Sequence, residues 1–326
     1  MHSVPTIARP GPFRLLAVDS ALPLLFFDRE LPVEFRDLVD GRAICVGPDD
    51  VDLTDAVAVI AGMRRWDAAG MSRGRSLRVI SRTGVGYDTV DVAAATSLGI
   101  TVCHAPEAPT VSTAEHTIAL MMAITKNLSG AQTRAREGLT GGPATALELD
   151  GCMLGLLGFG RIARRVATMG VALGMKIVAH DPYLAADAGR AAGVTMVAID
   201  ELWPAADVVS LHAPATPATY HVINSRTLGM MRSGSYLVNC ARGGLVDQEA
   251  LLDALNSGRL AAAALDVTEP EPLPVGHPLL VHPRVVVTPH IASSTTAGRR
   301  RLYEHAIDNA LRTLSGTPTN VVPEQR

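Results

Sequence analysis

Short apolar runs recur along the first hundred residues: "FRLLAVD" (13–19), "AICVG" (43–47), "AVAVIAG" (56–62), "LRVIS" (77–81) and "ITVCHA" (100–105). Each is too short for a buried helix and is predicted as a buried strand. The stretches between them, such as "VDVAAATSLG", supply crossover helices, while residues 1–12, with three prolines and no periodicity, read as a loose arm. At 111–128 the spacing turns helical: Ile118, Met121, Met122 and Thr125 share a face, and Ser112 with Glu115 is predicted as a capping box. "TGGPA" (140–144) follows as a loop. From residue 152 a second alternation begins, with strands expected at "CMLGLLG", "KIVAHD", "TMVA", "DVVSLHA", "SYLVNCA", "AAAALDV" and "RVVVTPH". A last amphipathic helix is expected at 297–316, where Leu302, Ala306, Ile307, Ala310, Leu311 and Leu314 share a face before Gly316.

Near-continuous apolar strands alternating with helices predict an α/β protein with doubly wound parallel sheets. At 326 residues the chain exceeds one hydrophobic core, so two domains are expected. Hydrophobic residues are 48% and aromatics only 4%, which fits an interior of Ala, Val, Leu and Ile in alternating layers. The net charge of −3, without a basic stripe, argues against nucleic acid or an anionic membrane surface as partner. Cys45, Cys103, Cys152 and Cys240 show neither CxxC nor metal-ligand spacing and read as reduced thiols, with no metal expected. Asp19 and Pro23 interrupt the apolar "LLAVDSALPLLFF", which is too short to span a bilayer. A soluble, cytoplasmic protein is expected.

The candidate chemistry starts at "LGLLGFGRIARRVA" (154–167), which carries Gly158-x-Gly160-x-x-Ala163 between an apolar strand and a helical pattern. The first glycine permits a tight turn, and the second lets backbone approach a pyrophosphate favoured by the helix N-terminus. A small third residue lets helix and strand pack, and alanine serves. The next strand ends in Asp181, 21 residues past Gly160, where a carboxylate would bond the adenosine ribose hydroxyls. That carboxylate would also repel a 2′-phosphate, so NAD is predicted over NADP.

Ligands of an open α/β sheet sit at the carboxyl ends of its strands. In the second unit those ends deliver Arg242, Asp266 and His290. An arginine forks onto a substrate carboxylate and polarises the neighbouring carbonyl. A histidine takes or returns the hydroxyl proton, and a carboxylate on its far nitrogen would orient it and favour its protonated form. The stiff run "DVTEPEPLPVGHPL" (266–279) offers two such carboxylates, Glu269 and Glu271. His277 and His282 read as solvated loop residues, and His104, His116, His180, His212 and His221 as structural or local.

These residues resemble the D-isomer-specific 2-hydroxyacid dehydrogenases. The resemblance runs from "SRTGVGYDTVD" (81–91) through "STAEHTIALMMA", "GFGRIARRVA", "LHAPAT", "NCARGGLVDQEAL" and "ALDVTEPEPLP" to "VVVTPHIAS", with little in the first sixty residues. It implies a Rossmann NAD domain (107–290) inserted in a flavodoxin-like substrate domain (1–106 with 291–326), the two long helices crossing between them. It further implies that Glu271, between Arg242 and His290 in the family's order, is the glutamate that tunes the histidine, leaving Glu269 an exposed neighbour. A formate dehydrogenase, which shares the fold, would lack that glutamate. By the same resemblance, backbone N–H groups near Val85 and Gly86 grip the substrate carboxylate. Arg161 and Ile162 flank the pyrophosphate, Asp266 holds the nicotinamide amide, and Pro214, Cys240 and Ala241 line the cofactor path. Helix 111–128 corresponds to the family's dimerisation helix, so a homodimer is expected. The one noted departure is Ala163, where many members carry glycine.

Specificity would lie around Met63, Arg64 and residues 81–87. "DVTEPEPLPVGHPLL" looks closest to glyoxylate/hydroxypyruvate reductases, which points to a small 2-keto acid. Arg64, Arg65 and Arg82 keep 3-phosphoglycerate as the alternative, although the chain ends soon after its last helix, without the added regulatory domain of some phosphoglycerate dehydrogenases. From another class, the C-terminal-binding corepressors keep this fold and its catalytic residues as NAD-sensing scaffolds. A long tail or partner surface would mark one, and the sequence suggests neither.

Overall fold

All seven strands expected after residue 152 form: β6 (Met153–Leu157), β7 (Lys176–His180), β8 (Val194–Met196), β9 (Val208–Leu211), β10 (Ser235–Asn239), β11 (Leu260–Leu265) and β12 (Val285–Val287). They make one parallel sheet in the order β12-β11-β10-β9-β6-β7-β8. Five earlier strands, β1 (Leu24–Phe27), β2 (Ile44–Val46), β3 (Ala58–Ala61), β4 (Val79–Arg82) and β5 (Thr101–Cys103), make a second parallel sheet ordered β2-β1-β3-β4-β5. This is the flavodoxin-like order, so both sheets are doubly wound as expected. The computed structural model describes residues 22–49, 53–141 and 146–326. The expected arm, the expected strand at 13–19 and residues 142–144 of "TGGPA" lie outside the described residues.

Strand β1 was not expected. Its four residues directly follow Pro23, which has no N–H to pair and whose carbonyl accepts the Ile44 N–H at 2.9 Å. Leu25 and Phe27 pack on one face and Phe26 on the other, in the two-residue alternation of a pleated strand.

The helix expected at 111–128 forms over Thr110–Thr125, and Asn127, at φ +49°, turns the chain into a second helix, Leu128–Arg136. The capping box is overturned. The helix starts a turn earlier, after Pro109, so Ser112 lies inside it with its hydroxyl buried 2.7 Å from Thr295 Oγ1. Its deepest face is Ala114, Thr117, Leu120, Met121 and Ile124, with Ile118 and Met122 only partly buried. The terminal helix, Thr296–Leu314, is capped by Thr295 and returns to the first sheet. There Ala306, Ile307 and Ala310 join Leu25, Phe27, Phe35 and Ile60 in one core. No helix among the described residues is long and apolar enough to cross a membrane.

Register positions the site. Val287, Leu265, Asn239, Leu211, Leu157 and His180 are successive partners across six strands of the larger sheet. The chain leaves every one of those strands at the same edge.

Candidate active site

Each polar residue singled out in the larger sheet departs from that row. Gly158 follows Leu157, Asp181 follows His180 and Asp266 follows Leu265, while Arg242 and His290 come three residues beyond Asn239 and Val287. Strand order reverses between β6 and β9. A crevice opens at such a point, and the first glycine borders it.

Gly158 has φ +88°, and a β-carbon there would come within 2.8 Å of the His212 carbonyl. Only glycine fits both demands. Gly160, at the N-cap of helix Arg161–Ala172, faces open space, and no side chain caps that helix. The donors at its first turn are thus left for an anion. Asp181 accepts from the Phe159 N–H (2.9 Å) with one oxygen and the Tyr183 N–H (3.0 Å) with the other, tying the glycine turn to β7. Arg161 reaches Glu107 at 3.6 Å, and Ile162 packs on the core. Pro214 is exposed after β9, and Ala241 lends its carbonyl to Arg242. Burial pushes the Cys240 thiol up to about 12, leaving it protonated and inert at neutral pH. Burial likewise drops His212 to about 4, so it is a neutral acceptor or donor opposite Ser210 Oγ at 2.9 Å. The residues present fit a dinucleotide.

At the other end of the row, His290 Nδ1 lies 2.5 Å from Glu271 Oε1, both side chains about a third exposed. His290 has φ +52°, a strained conformation for a side-chain-bearing residue. Asp266 holds it there. The Asp266 carbonyl accepts the His290 N–H at 2.8 Å, and its buried carboxylate accepts from Thr288 Oγ1 (2.5 Å) and from the Ile291 and Ala292 N–H groups (2.9 Å each). His116, from the crossing helix Thr110–Thr125, adds Nε2 at 3.4 Å. Burial pushes the Asp266 carboxyl up, but the bonds from His116, Thr288, Ile291 and Ala292 outweigh it and hold the group below its ordinary range. The next link runs sideways: the Asp266 N–H donates to the Asn239 carbonyl (2.9 Å), and buried Asn239 donates through Nδ2 to the Arg242 carbonyl (2.8 Å). One hydrogen-bonded chain therefore joins the His290 and Arg242 turns.

Arg242 also meets the first sheet. Nε donates to Asp88 Oδ2 (2.9 Å) and Nη1 to the Ala241 carbonyl (2.6 Å). Nη2 lies over Gly86, where a built β-carbon would come 1.4 Å from it. The carbonyls of Gly84, Val85 and Gly86 accept from Ala105 N, His104 Nδ1 and Arg82 Nε respectively. Among the described residues no acceptor takes the Val85 or Gly86 N–H. A guanidinium edge beside two free N–H groups is an anion grip. Arg82 is buried, which lowers it to about 10, still cationic. Arg64 lies over Trp66, its guanidinium 5.3 Å from the ring centroid.

Sequence reasoning missed Asp88, His116 and Thr288. Asp88 closes the quoted "TGVGYD" and Thr288 sits two residues before His290, so both had a signal; His116 had none. Glu269 is exposed as expected yet paired, its Oε2 lying 3.4 Å from His221 Nε2. His277 is a cap rather than a free loop residue, its Nδ1 accepting the Leu279 N–H at 3.3 Å.

Residues 118–292 match the family described as D-isomer specific 2-hydroxyacid dehydrogenase, NAD binding domain. The chain is 44% identical over 247 residues to D-3-phosphoglycerate dehydrogenase 3, chloroplastic, of Arabidopsis thaliana, which covers 75% of this chain and 42% of that protein. It thus spans less than half the length of the curated relatives of that name. Among solved structures, a glyoxylate reductase from Paecilomyes thermophila superposes with a TM-score of 0.84 at 29% identity, covering 94% of this chain and 100% of that one. A D-lactate dehydrogenase from Aquifex aeolicus, complexed with NAD and lactic acid, gives 0.79 at 29% identity over 90% and 96%. With its NAD-binding domain matched in sequence and both sheets matched in space, the chain belongs to the D-isomer specific 2-hydroxyacid dehydrogenase family.

Proposed function

We propose that the protein interconverts a small 2-keto acid, of the glyoxylate or hydroxypyruvate type, with its D-2-hydroxy acid. The observation that carries this reading is the 2.5 Å contact of His290 with Glu271, one hydrogen-bonded chain away from an Arg242 edge set beside free N–H groups. NAD would be held by Gly158, Gly160, Arg161 and Ile162 at the pyrophosphate, by Asp181 at the ribose, and along Pro214, Cys240 and Ala241. Bound there, it supplies or accepts the hydride.

The chain's own residues do the rest. Arg242 Nη2 and the N–H groups of Val85 and Gly86 bind the substrate carboxylate, with the guanidinium polarising the carbonyl. Asp88 fixes the orientation of that guanidinium. Glu271 accepts the Nδ1 proton of His290, so Nε2 is the atom that gives a proton in reduction and takes it in oxidation. Asp266 positions that imidazole through the 288–292 turn, and the resemblance also gives it the nicotinamide amide. Residues 1–106 with 291–326 are the proposed substrate domain around 107–290, supported by the packing of helix Thr296–Leu314 on β3, β4 and β5. The four cysteines, none in a disulfide, suit a reducing cytoplasm.

A second reading has its own support. Curated relatives 36–44% identical carry the name D-3-phosphoglycerate dehydrogenase, and Arg64 and Arg65 are exposed near the first sheet's site edge. Initial rates with NADH on glyoxylate, hydroxypyruvate, pyruvate and phosphohydroxypyruvate separate the two. Highest kcat/KM on glyoxylate or hydroxypyruvate is the expected result, and highest on phosphohydroxypyruvate establishes the second reading. NADH binding without turnover of any of them would instead mark an NAD-sensing scaffold.

A further inference from the structure

The loop after β9 carries two residues that the proposed chemistry does not use. Tyr220 and His221 stack ring on ring, centroids 3.9 Å apart and planes 15° from parallel. His221 is held at φ +48°, its N–H donating to the Gly244 carbonyl at 2.8 Å. Asn224 Nδ2 donates to the His221 carbonyl at 2.8 Å. A strained backbone of this kind persists only where its surroundings fix it.

What the pair faces is the Glu271 loop. Glu269 Oε2 lies 3.4 Å from His221 Nε2, and the Glu269 charge beside the Tyr220 hydroxyl makes that phenol hold its proton more tightly. Gln248 Nε2 donates to the Glu269 carbonyl. Beneath this passes the turn that carries Arg242. A β-carbon on Gly244 would stand 3.4 Å from both Glu269 Oε2 and the Tyr220 ring, and one on Gly243 would strike the Thr268 carbonyl at 2.1 Å. The Arg242 turn is therefore caught between the 220–221 backbone and residues 268–269. Glu271, two residues on, meets His290.

We infer that Tyr220, His221 and Glu269 form a positioning clamp that sets Glu271 against His290 and fixes the Arg242 turn in one arrangement. None of the three touches the reacting atoms; they act by holding two loops at a common spacing. A misplacement of catalytic groups by about 1 Å can cost up to about a hundredfold in rate, so a clamp of this kind belongs to kcat rather than to substrate affinity. This rests on the proposed keto-acid chemistry.

The test uses Glu269→Ala, His221→Ala and the conservative His221→Gln in the full chain. Two readouts are needed, steady-state rates with NADH and amide hydrogen exchange of the 266–273 segment. With Glu269→Ala and His221→Ala, kcat should fall about tenfold or more, with KM for the keto acid and Kd for NADH changed less than about twofold. Exchange of 266–273 should speed up while β6 and β9 stay protected, and His221→Gln, which keeps a donor, should recover most of both. Unchanged exchange at 266–273, unchanged kcat, or a loss of kcat accompanied by exposure of β6 and β9 overturns the clamp. If the unmodified protein reduces no 2-keto acid, the proposed function falls, and the exchange measurement alone still decides whether these residues hold the loop.

Discussion

His290 is the residue on which the proposed chemistry turns, and Glu271 fixes which of its nitrogens works. His290→Ala should lower kcat for keto-acid reduction by about 10²–10⁴-fold, the range of general acid–base groups, with NADH binding measured by fluorescence left in place. Arg242→Ala should raise KM for the keto acid and lower kcat together, because its edge serves both binding and polarisation. The proposed place of Asp181 at the ribose predicts that kcat/KM with NADH exceeds that with NADPH, and equal efficiency would refute it. At this scale the sequence was most legible where a residue leaves a strand end, since Arg242, Asp266, His290 and Asp181 all do so. It was least legible for side chains whose partner is distant. Asp88 and Arg242 are 154 positions apart, and His116 reaches Asp266 from a helix whose pattern shows only apolar spacing.

At the scale of elements, the 288–292 turn depends on one buried carboxylate. Asp266→Ala strands the Ile291 and Ala292 N–H groups, and an unpaired buried donor costs about 1–3 kcal/mol, so urea unfolding should shift down by at least that much. Strand β9 is followed by His212, which burial keeps neutral, its ordinary 6.5 lowered to about 4. The unfolded chain takes up that proton first, so stability should hold above pH 6.5 and decline as pH falls toward 4. The loss is on the order of 3 kcal/mol. His212→Gln should flatten that slope in thermal melts between pH 4 and 7. Elements were read well from periodicity in the larger sheet because its strands are short, apolar and evenly spaced. The capping box failed because Ser112 serves another helix: its hydroxyl faces Thr295, a contact that no local pattern encodes.

For the whole molecule, the bonds of Arg242 to Asp88 and of Arg161 to Glu107 link the two sheets at the site itself. Closure around ligand would tighten those links and exclude water, so the radius of gyration from solution scattering should shrink with NADH plus a substrate analogue. Identical curves would speak against it. The resemblance also predicts a homodimer through helix Thr110–Thr125, which sedimentation velocity checks directly.

The return of helix Thr296–Leu314 to the first sheet has a consequence for biosynthesis. A ribosome delivers β1–β5 before the larger sheet, yet Ala306, Ile307 and Ala310, which pack on Leu25, Phe27 and Ile60, emerge only after that sheet. The larger sheet, uninterrupted in sequence, is free to close in between. The nascent first sheet would therefore wait with part of an oily flank bare, a surface that a chaperone could hold.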